Sequence, residues 1–410
     1  MSQNKNNNAP QPIAQHFITI TDPRIEKSTD HKLIDIIAIA VCGVIAGCDS
    51  WVEIEDFGKA RKDWFAAYLG LKHGIPSHDT FGRVFALINP REFQLSFASW
   101  MQSVMKTTKG QVIAIDGKTN RRTFGGKANG KEGTTGFTKA LHLVSAFATA
   151  NGVALGQVAT DQKSNEITAI PELLKLLDMR GCLITTDAMG CQGDIAADIV
   201  SKGGDYLLAV KGNQGNLYRD IKAVFTNEHI PRDTNITEDK GHGRIDTRTC
   251  EVITGSAVFA TIRHNNNWVG LHTIVKVTAQ RTVQETKGKT KKKGDKNSDG
   301  DAVTPPTHTT HESRYYICSD EEPTAKRLQQ AVREHWGIEN GLHWTIDMAF
   351  REDESRIRTG HAPSNMAVLR HIALNLIRAD KDRKVGIKIS RHKAGWSTDY
   401  LEKLLRGLMG

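Results

Sequence analysis

The spacing of apolar and polar positions divides the chain into helical and strand-like regions. From about residue 30 to 105, apolar residues recur at intervals of three and four, which predicts amphipathic helices. Residues 111–225 instead alternate short apolar runs with helical patterns, which favours an α/β core. The predicted strands of this core are 112–116, 141–147, 153–158, 182–187 and 206–210, and the predicted helices lie near 168–178 and 193–202.

The pattern changes again after about residue 240. Alternating residues predict strands at Thr249–Ile253, Ala257–Arg263 and Thr273–Thr278. A polar tract at 285–311 contains six lysines and cannot bury a core, so we predict a disordered loop there. DNA contact and simple solubility are equally open roles for this loop. Helical patterning resumes over 323–352 and 361–379.

Two aspartates directly follow strands that the pattern predicts to be buried. Asp116 ends the run Val112–Ile115, and Asp187 ends the run Cys182–Thr186. Ligands collect beyond the carboxyl ends of strands in α/β sheets, so the two residues suggest one shared site. Capping of a turn or helix is the alternative, and it is the commoner role of a single aspartate at a strand end.

Glu339 lies on the apolar stripe of a predicted helix, together with Leu328, Val332, His335 and Leu342. The spacing predicts that this carboxylate points inward with them. An unpaired buried carboxylate costs several kcal/mol, as an order of magnitude, unless a cation or hydrogen-bond donors meet it. A bound divalent metal would remove that cost, and pairing with a lysine or arginine is the alternative.

Composition narrows the class of protein. The 410 residues are 39% hydrophobic and carry a formal net charge of +9, which favours a polyanionic partner such as DNA. The longest apolar stretch, Leu33–Gly47, contains Asp35 and is too short for a bilayer, so no membrane association is expected. The opening residues lack a signal-peptide pattern, which predicts a cytoplasmic location. Six scattered cysteines indicate neither a zinc site nor disulfides and are expected to be reduced core residues.

Six short motifs lie between residues 75 and 340, inside a longer match that runs from residue 22 almost to the end of the chain. They are Ile75–Phe81, Ile115–Lys118, Asp161–Glu166, Thr186–Ala188, Val210–Gln214 and His335–Asn340. Together they resemble the DDE transposases of bacterial insertion sequences, in particular the branch linked with the H-repeats of Rhs elements. The resemblance implies a ribonuclease H-like catalytic core in which Asp116, Asp187 and Glu339 form the catalytic, metal-binding carboxylate triad.

Together with the composition and the apolar spacing, the same resemblance implies a domain organisation. It places a β-rich insertion between the second aspartate and the glutamate. The implied parts are a disordered tail at 1–22, an N-terminal helical, DNA-binding domain at 23–108, the catalytic domain at 109–232 and 319–380, the insertion at 233–318 with its basic loop at 285–311, and a C-terminal tail at 381–410.

The chemistry of such a triad is metal-dependent. Three carboxylates can hold two Mg²⁺ ions about 4 Å apart, and Mn²⁺ is expected to substitute. One ion would activate water or a 3′-hydroxyl, while the other would stabilise the leaving oxygen. The expected partners are the terminal inverted repeats of an element and a target DNA, and a homodimer on DNA is expected because two ends must meet. On DNA the protein would be nucleoid-associated. A metal-dependent nuclease without strand transfer, and a retired transposase that only binds DNA, remain alternatives.

Further residues are predicted to contact DNA. Lys118 belongs to the motif around Asp116, whereas Lys211, Asn213 and Gln214 follow the strand predicted at 206–210. These polar residues could hold the DNA backbone near the site. An ordinary polar turn is the alternative for the last three.

A histidine and a tryptophan complete the candidates. The family often has an arginine four residues before the last glutamate, and this chain has His335 there. His335 is a candidate phosphate contact, although a core histidine is the commoner case. Trp268 is a candidate for stacking on an unpaired base, and a strand-pairing aromatic is the alternative. Trp336 and Trp344 are predicted to be core residues.

Overall fold

The computed structural model describes residues 12–25, 29–104, 110–123, 140–160, 166–241, 243–255, 262–263, 267–284 and 307–406. Helices dominate its N-terminal region, as the apolar spacing predicts. They are α1 (Pro12–Phe17), α2 (Leu33–Ile45), α3 (Trp51–Ala60), α4 (Lys62–Leu69), α5 (His78–Leu87) and α6 (Pro90–Val104). Side-chain caps fix two of the starts: Ser50 and Glu53 form a capping box on α3, and the Ser77 hydroxyl accepts from the Thr80 N–H on α5.

The described strands form one mixed sheet. They are β1 (Val112–Asn120), β2 (Leu141–Ala148), β3 (Val153–Thr160), β4 (Leu183–Thr186), β5 (Asp205–Val210), β6 (Asp233–Gly241), β7 (Arg244–Thr254), β8 (Thr273–Gln284) and β9 (Thr307–Cys318). Their order is β3-β2-β1-β4-β5-β9-β8-β7-β6, with β1, β4 and β5 parallel. Ile115 pairs with Thr186. The next residues, Asp116 within β1 and Asp187 just after β4, are therefore neighbours where this parallel pairing stops. The prediction that the first strand ends at Asp116 was wrong, because β1 continues to Asn120 in its pairing with β2.

The predicted insertion at 233–318 is not a separate layer, because its strands continue the core sheet. β9 runs antiparallel to β5 and joins the outer strands β6–β8 to the rest. The predicted loop at 285–311 is too long, since residues 307–311 belong to β9; residues 285–306 lie outside the described residues. Most of the strand predicted at Ala257–Arg263 also lies outside them.

The remaining helices cover both faces of the sheet and complete the helical region. They are α7 (Glu166–Leu174), α8 (Gly193–Ser201), α9 (Gly215–Thr226), α10 (Ala325–His335), α11 (Trp344–Phe350), α12 (Ala362–Ala379), α13 (Ile387–Trp396) and α14 (Thr398–Arg406). A π-helical turn, Ile338–His343, links α10 to α11, and short 3-10 turns occur at Gly212–Gln214 and Glu352–Glu354.

The predicted disordered tail at 1–22 and the predicted C-terminal tail at 381–410 both contain ordered helices. Within 1–22, α1 is helical and Phe17 is buried, with its ring 5.4 Å from that of Phe93. Within 381–410, α13 and α14 are ordered helices. The buried guanidinium of Arg391 on α13 donates to the carbonyl oxygens of Val44 and Cys48, which fixes α13 against the N-terminal helices. Polar flanking sequence concealed these short amphipathic helices.

Three large hydrophobic clusters hold the fold together. One joins the N-terminal helices to α12, α13 and α14, a second lies under α7, α8 and α9, and the third lies between α10 and the opposite sheet face. The six cysteines are all buried and free, as predicted. Among the described residues, no helix is both long and apolar enough to cross a bilayer.

Candidate active site

A cleft of about 790 Å³ opens where the parallel pairing of β1 and β4 stops. It brings together six of the residues that the sequence singled out, which are Asp116, Lys118, Asp187, Lys211, His335 and Glu339. The lining does not include Asn213, Gln214 or Trp268. The parallel strands β1 and β4 bring Asp116 and Asp187 together, and the π-helical turn Ile338–His343 brings Glu339 to the same space.

Asp116 is the most perturbed carboxyl group of the cleft. Burial raises its pKa to about 7, although a hydrogen bond from the backbone of Gly117 acts in the opposite direction. The negative charges of Asp187 and Glu339 lie close enough to add to this rise. The Nδ1 of His343 lies 3.6 Å from Asp116 Oδ2. Asp116 therefore sits among like charges in a poorly solvated position.

Asp187 combines the two roles weighed for it. Its Oδ1 accepts hydrogen bonds from the backbone N–H groups of Met189 (2.9 Å) and Gly190 (3.3 Å), which is the turn-capping role. The side chain also lines the cleft beside Asp116. Capping fixes the position of the carboxylate, so the two roles support each other.

The prediction that the side chain of Glu339 points inward was wrong. It is exposed at the cleft, while Ile338 and Leu342 on either side are buried. The cause is local geometry: Glu339 lies on the π-helical turn, where the extra residue rotates the chain away from regular helical spacing. The cost of burying a carboxylate, which the spacing predicts for Glu339, therefore falls on Asp116 instead.

The carboxylates suit a divalent cation in chemical type. Carboxylate oxygens are preferred ligands of Mg²⁺, and a cation would relieve the repulsion that raises the pKa of Asp116. However, no three acidic, histidine or cysteine side chains among the described residues converge as a ready-made metal site. The donors are therefore present around one cleft without forming a closed cage.

Two histidines of the cleft are neutral. Burial lowers the pKa of His335 to about 4, against the opposing charge of Asp187, and its Nδ1 lies 2.9 Å from Thr185 Oγ1. Burial, with the charge of Lys118, lowers the pKa of His343 to about 3. A neutral imidazole cannot replace an arginine as a cationic phosphate contact. The structure thus favours the core-histidine alternative for His335.

Lys118, which the sequence predicts to contact DNA, is held in an ion-pair network. Its ammonium binds Asp347, and it lies 2.8 Å from Glu352 Oε2. Burial disfavours the charge on Lys118, but Glu352 and Asp347 outweigh it and raise its pKa. Arg370 lies 3.3 Å from the other oxygen of Glu352. The network ties β1 to α11 and the turn that follows it.

A buried pair beneath Asp116 was missed. His142 Nε2 lies 2.7 Å from Glu166 Oε1, and both side chains are buried. A methyl group at Gly117 would collide with both, so this position needs glycine for space. Glu166 adds to the rise in the pKa of Asp116. Its place in the motif Asp161–Glu166 was the available signal, although residues 161–165 lie outside the described residues.

The residues after β5 have separate roles. Lys211 is exposed and lines the cleft. Asn213 Nδ2 donates to the Ala188 carbonyl at 2.6 Å, and Gln214 Nε2 donates to the Cys191 carbonyl at 2.8 Å. Both amides therefore brace the loop behind Asp187, in line with the polar-turn alternative, and they lie outside the cleft.

The exposure of the tryptophans is the reverse of the prediction. Trp268 is 8% exposed and packs in the cluster beneath α7, α8 and α9, so its ring offers no face to a base. Trp336 and Trp344, predicted to be core, are exposed at the cleft, and Trp344 reaches 61% exposure. The π-helical turn between them again explains the error, because it changes which face of the helix they occupy.

Comparisons with known proteins give matches to transposases. The model of the family "Transposase DDE domain" matches residues 107–376, and that of "DDE_Tnp_1-associated" matches residues 14–101. "Putative transposase YncI" of Escherichia coli O157:H7 is 42% identical, over 96% of this chain and 94% of its own. "H repeat-associated putative transposase YhhI" of Escherichia coli (strain K12) is 38% identical, over 96% of this chain and 98% of its own.

One solved structure also aligns, at lower similarity. It is "Cryo-EM structure of piggyBac transposase synaptic complex with hairpin DNA (SNHP)", which covers 97% of this chain and 77% of its own, with a TM-score of 0.39 and 11% identity. A TM-score this low does not establish a shared fold. The family match and the full-length relatives confirm the resemblance found in the motifs: the chain belongs to the DDE transposase family, in the branch of the H-repeat-associated transposases.

Proposed function

We propose that the protein cuts DNA at the ends of an insertion sequence and joins those ends to target DNA. The main support for this proposal is that Asp187 and Glu339 crowd Asp116 in a single cleft. Carboxylates crowded without a cationic partner are costly for a fold, and a functional role accounts for the cost. The adjacent parallel strands β1 and β4, in the order β3-β2-β1-β4-β5, support a ribonuclease H-like core.

The proposed metal ligands are Asp116, Asp187 and Glu339, with two Mg²⁺ ions as the expected cofactor and Mn²⁺ as a substitute. When bound, the ions would supply activation of the attacking oxygen and stabilisation of the leaving oxygen. The protein's own contribution is placement. Asp187 is fixed by its turn, and the Lys118 network holds β1 against the segment that carries Glu339.

The cleft also offers a group suited to holding DNA. Lys211 is an exposed cation at the rim, where it can pair with a phosphate. We propose terminal inverted repeats and target DNA as partners. We also propose that a dimer forms on DNA, since two element ends must react in one event.

The test is a cleavage and joining assay with Mg²⁺ on DNA that carries the sequences flanking the gene, with a target plasmid. Asp187→Ala should lower both activities by about a thousandfold or more, since several kcal/mol of charge stabilisation are lost. The matched control is Asp178→Ala, because Asp178 precedes the same strand at its opposite end and pairs with the exposed Arg180. It should retain wild-type activity.

Three results would overturn the proposal. Equal activity of Asp187→Ala and the wild type would remove the carboxylate from catalysis. Cutting without joining would indicate a nuclease. Specific DNA binding by a wild type that neither cuts nor joins with any divalent metal would indicate a protein that only binds DNA.

A further inference from the structure

A second groove, of about 650 Å³, crosses the outer strands of the sheet and joins the active-site cleft. The side chains that line both spaces mark the junction, and they are Glu312, Arg314, Tyr316, Val332 and Trp336. The groove and the cleft are therefore one continuous surface. The lining of the groove includes none of the three carboxylates or the two neutral histidines described for the cleft, so the groove needs an explanation of its own.

The floor of the groove follows from strand alternation. Arg244, Asp246 and Arg248 alternate along β7 and so share one face, and Arg281 on β8 pairs opposite Asp246. The inner half of this face is apolar and packs against α10 in one cluster. The outer half has charged side chains in the same register. Helix α10 thus covers the apolar half and leaves the arginine half open.

One carboxylate organises the arginines. Asp246 is only 8% exposed, and its Oδ1 accepts from Arg281 Nε at 2.7 Å. Its Oδ2 lies 3.3 Å from Arg244 Nε and 3.7 Å from Arg248 Nη2. Arg248 also lies 2.7 Å from Asp239, so these three cations face two anions and leave one positive charge in excess. Exposed ion pairs stabilise a fold by only about 0–1 kcal/mol, so stability alone does not explain this arrangement.

The wall adds further arginines. Arg333, near the end of α10, lies 3.2 Å from Asp239 and is 52% exposed. Arg314 at the junction lies over the ring of Trp336 at 5.1 Å and donates to Glu312 at 2.8 Å. The lining of the groove contains four arginines, Arg248, Arg281, Arg314 and Arg333, against two carboxylates, Asp246 and Glu312. Its net charge is therefore positive.

We propose that this groove binds the sugar-phosphate backbone of duplex DNA as the duplex leads into the carboxylate cleft. Guanidinium groups bind phosphate oxygens with two hydrogen bonds, and those held by Asp246 are already oriented. The assignment rests on the proposed function, since it is the cleft that makes DNA the expected occupant. It adds a DNA-binding surface on the outer strands, away from the proposed metal ligands Asp116, Asp187 and Glu339.

The test is DNA affinity as a function of salt, measured by fluorescence anisotropy with a labelled duplex and EDTA to prevent cleavage. The variants are Arg281→Gln, Arg333→Gln and the two combined. Each lost phosphate contact should reduce the slope of log affinity against log salt by about 0.9, so the double variant should lose about 2. Arg180→Gln is the control, because Arg180 is also exposed and paired with an aspartate, but lies before β4 on the side away from the cleft.

The outcomes separate this proposal from the proposed function. A wild-type slope for the double variant would overturn the groove, even if the protein cuts DNA. A reduced slope in a protein that never cuts would support the groove and count against the catalytic proposal. Arg333→Gln guards against misfolding, since Arg333 pairs with an exposed aspartate, so its reduced slope should appear with an unchanged unfolding temperature.

Discussion

Two groups of carboxylates lie next to each other beside β1, and their surroundings are opposite. Asp116 is crowded by Asp187 and Glu339, and the nearby His343 is neutral. Glu352 is more deeply buried, yet the positive charges of Lys118 and Arg370 outweigh its burial and hold its pKa well below the usual range.

The contrast shows that burial alone does not identify a functional carboxylate. Glu352 is buried and compensated, so its charge stabilises the contact between β1 and the α11 region. Asp116 is partly buried and not compensated, so its charge is a cost in the absence of a cation. Selection for stability alone would remove such a group, which is why the uncompensated site is the candidate for metal binding.

The largest effect on stability is expected for Glu352→Gln. Removing this charge leaves Lys118 and Arg370 without their buried partner, which should lower the free energy of unfolding by about 3–5 kcal/mol. Urea denaturation would measure it. Glu354→Gln, which changes an exposed partner of Arg351 two residues away, should leave stability unchanged. A Glu352→Gln protein as stable as the wild type would show that the two carboxylate groups do not differ in this way.

A smaller effect is expected for Gly117→Ala. The added methyl group would collide with Glu166 and His142, and such overpacking costs about 1–3 kcal/mol. Because Gly117 adjoins Asp116, cleavage should fall as well. Gly212→Ala is the control, since a methyl group there meets no atom within 4 Å. Equal activity and stability of the two variants would mean that His142 and Glu166 move aside without cost.

The smallest effect is expected for Asn213→Ala, which removes the hydrogen bond to the Ala188 carbonyl. We expect a loss of about 1 kcal/mol of stability and slower cleavage, because the loop behind Asp187 is less fixed. DNA affinity measured with EDTA should not change. Asn216→Ala, on the first turn of α9, is the control. If affinity falls while stability is kept, Asn213 contacts DNA directly, as its sequence position first suggested.

The sequence predicted the local elements of the core well, because short apolar runs such as Val112–Ile115 have few alternatives to a strand. It also predicted that Asp116 and Asp187 would meet, since parallel strands place their carboxyl ends together. Periodicity failed where the helix geometry changes. The π-helical turn exposes Glu339, Trp336 and Trp344, and regular spacing contains no sign of it.

Long-range pairing was also beyond the sequence. Nothing local shows that Lys118 meets Glu352, or that Arg391 reaches the N-terminal helices. The partner of a lysine depends on tertiary packing, so a lysine beside a catalytic motif was predicted to contact DNA. The outer arginines were missed for the same reason, because their common face appears only once β7 and β8 are in register.

The most direct test of the contrast is the unfolding temperature of Asp116→Asn, with and without Mg²⁺. Without metal, the variant should be at least as stable as the wild type, because the substitution removes a charge that its surroundings disfavour. Added Mg²⁺ should raise the unfolding temperature of the wild type but not that of the variant, since only the former retains the full ligand set. If Asp116→Asn is destabilised without metal and Mg²⁺ acts equally on both proteins, Asp116 is a structural carboxylate and the account is wrong.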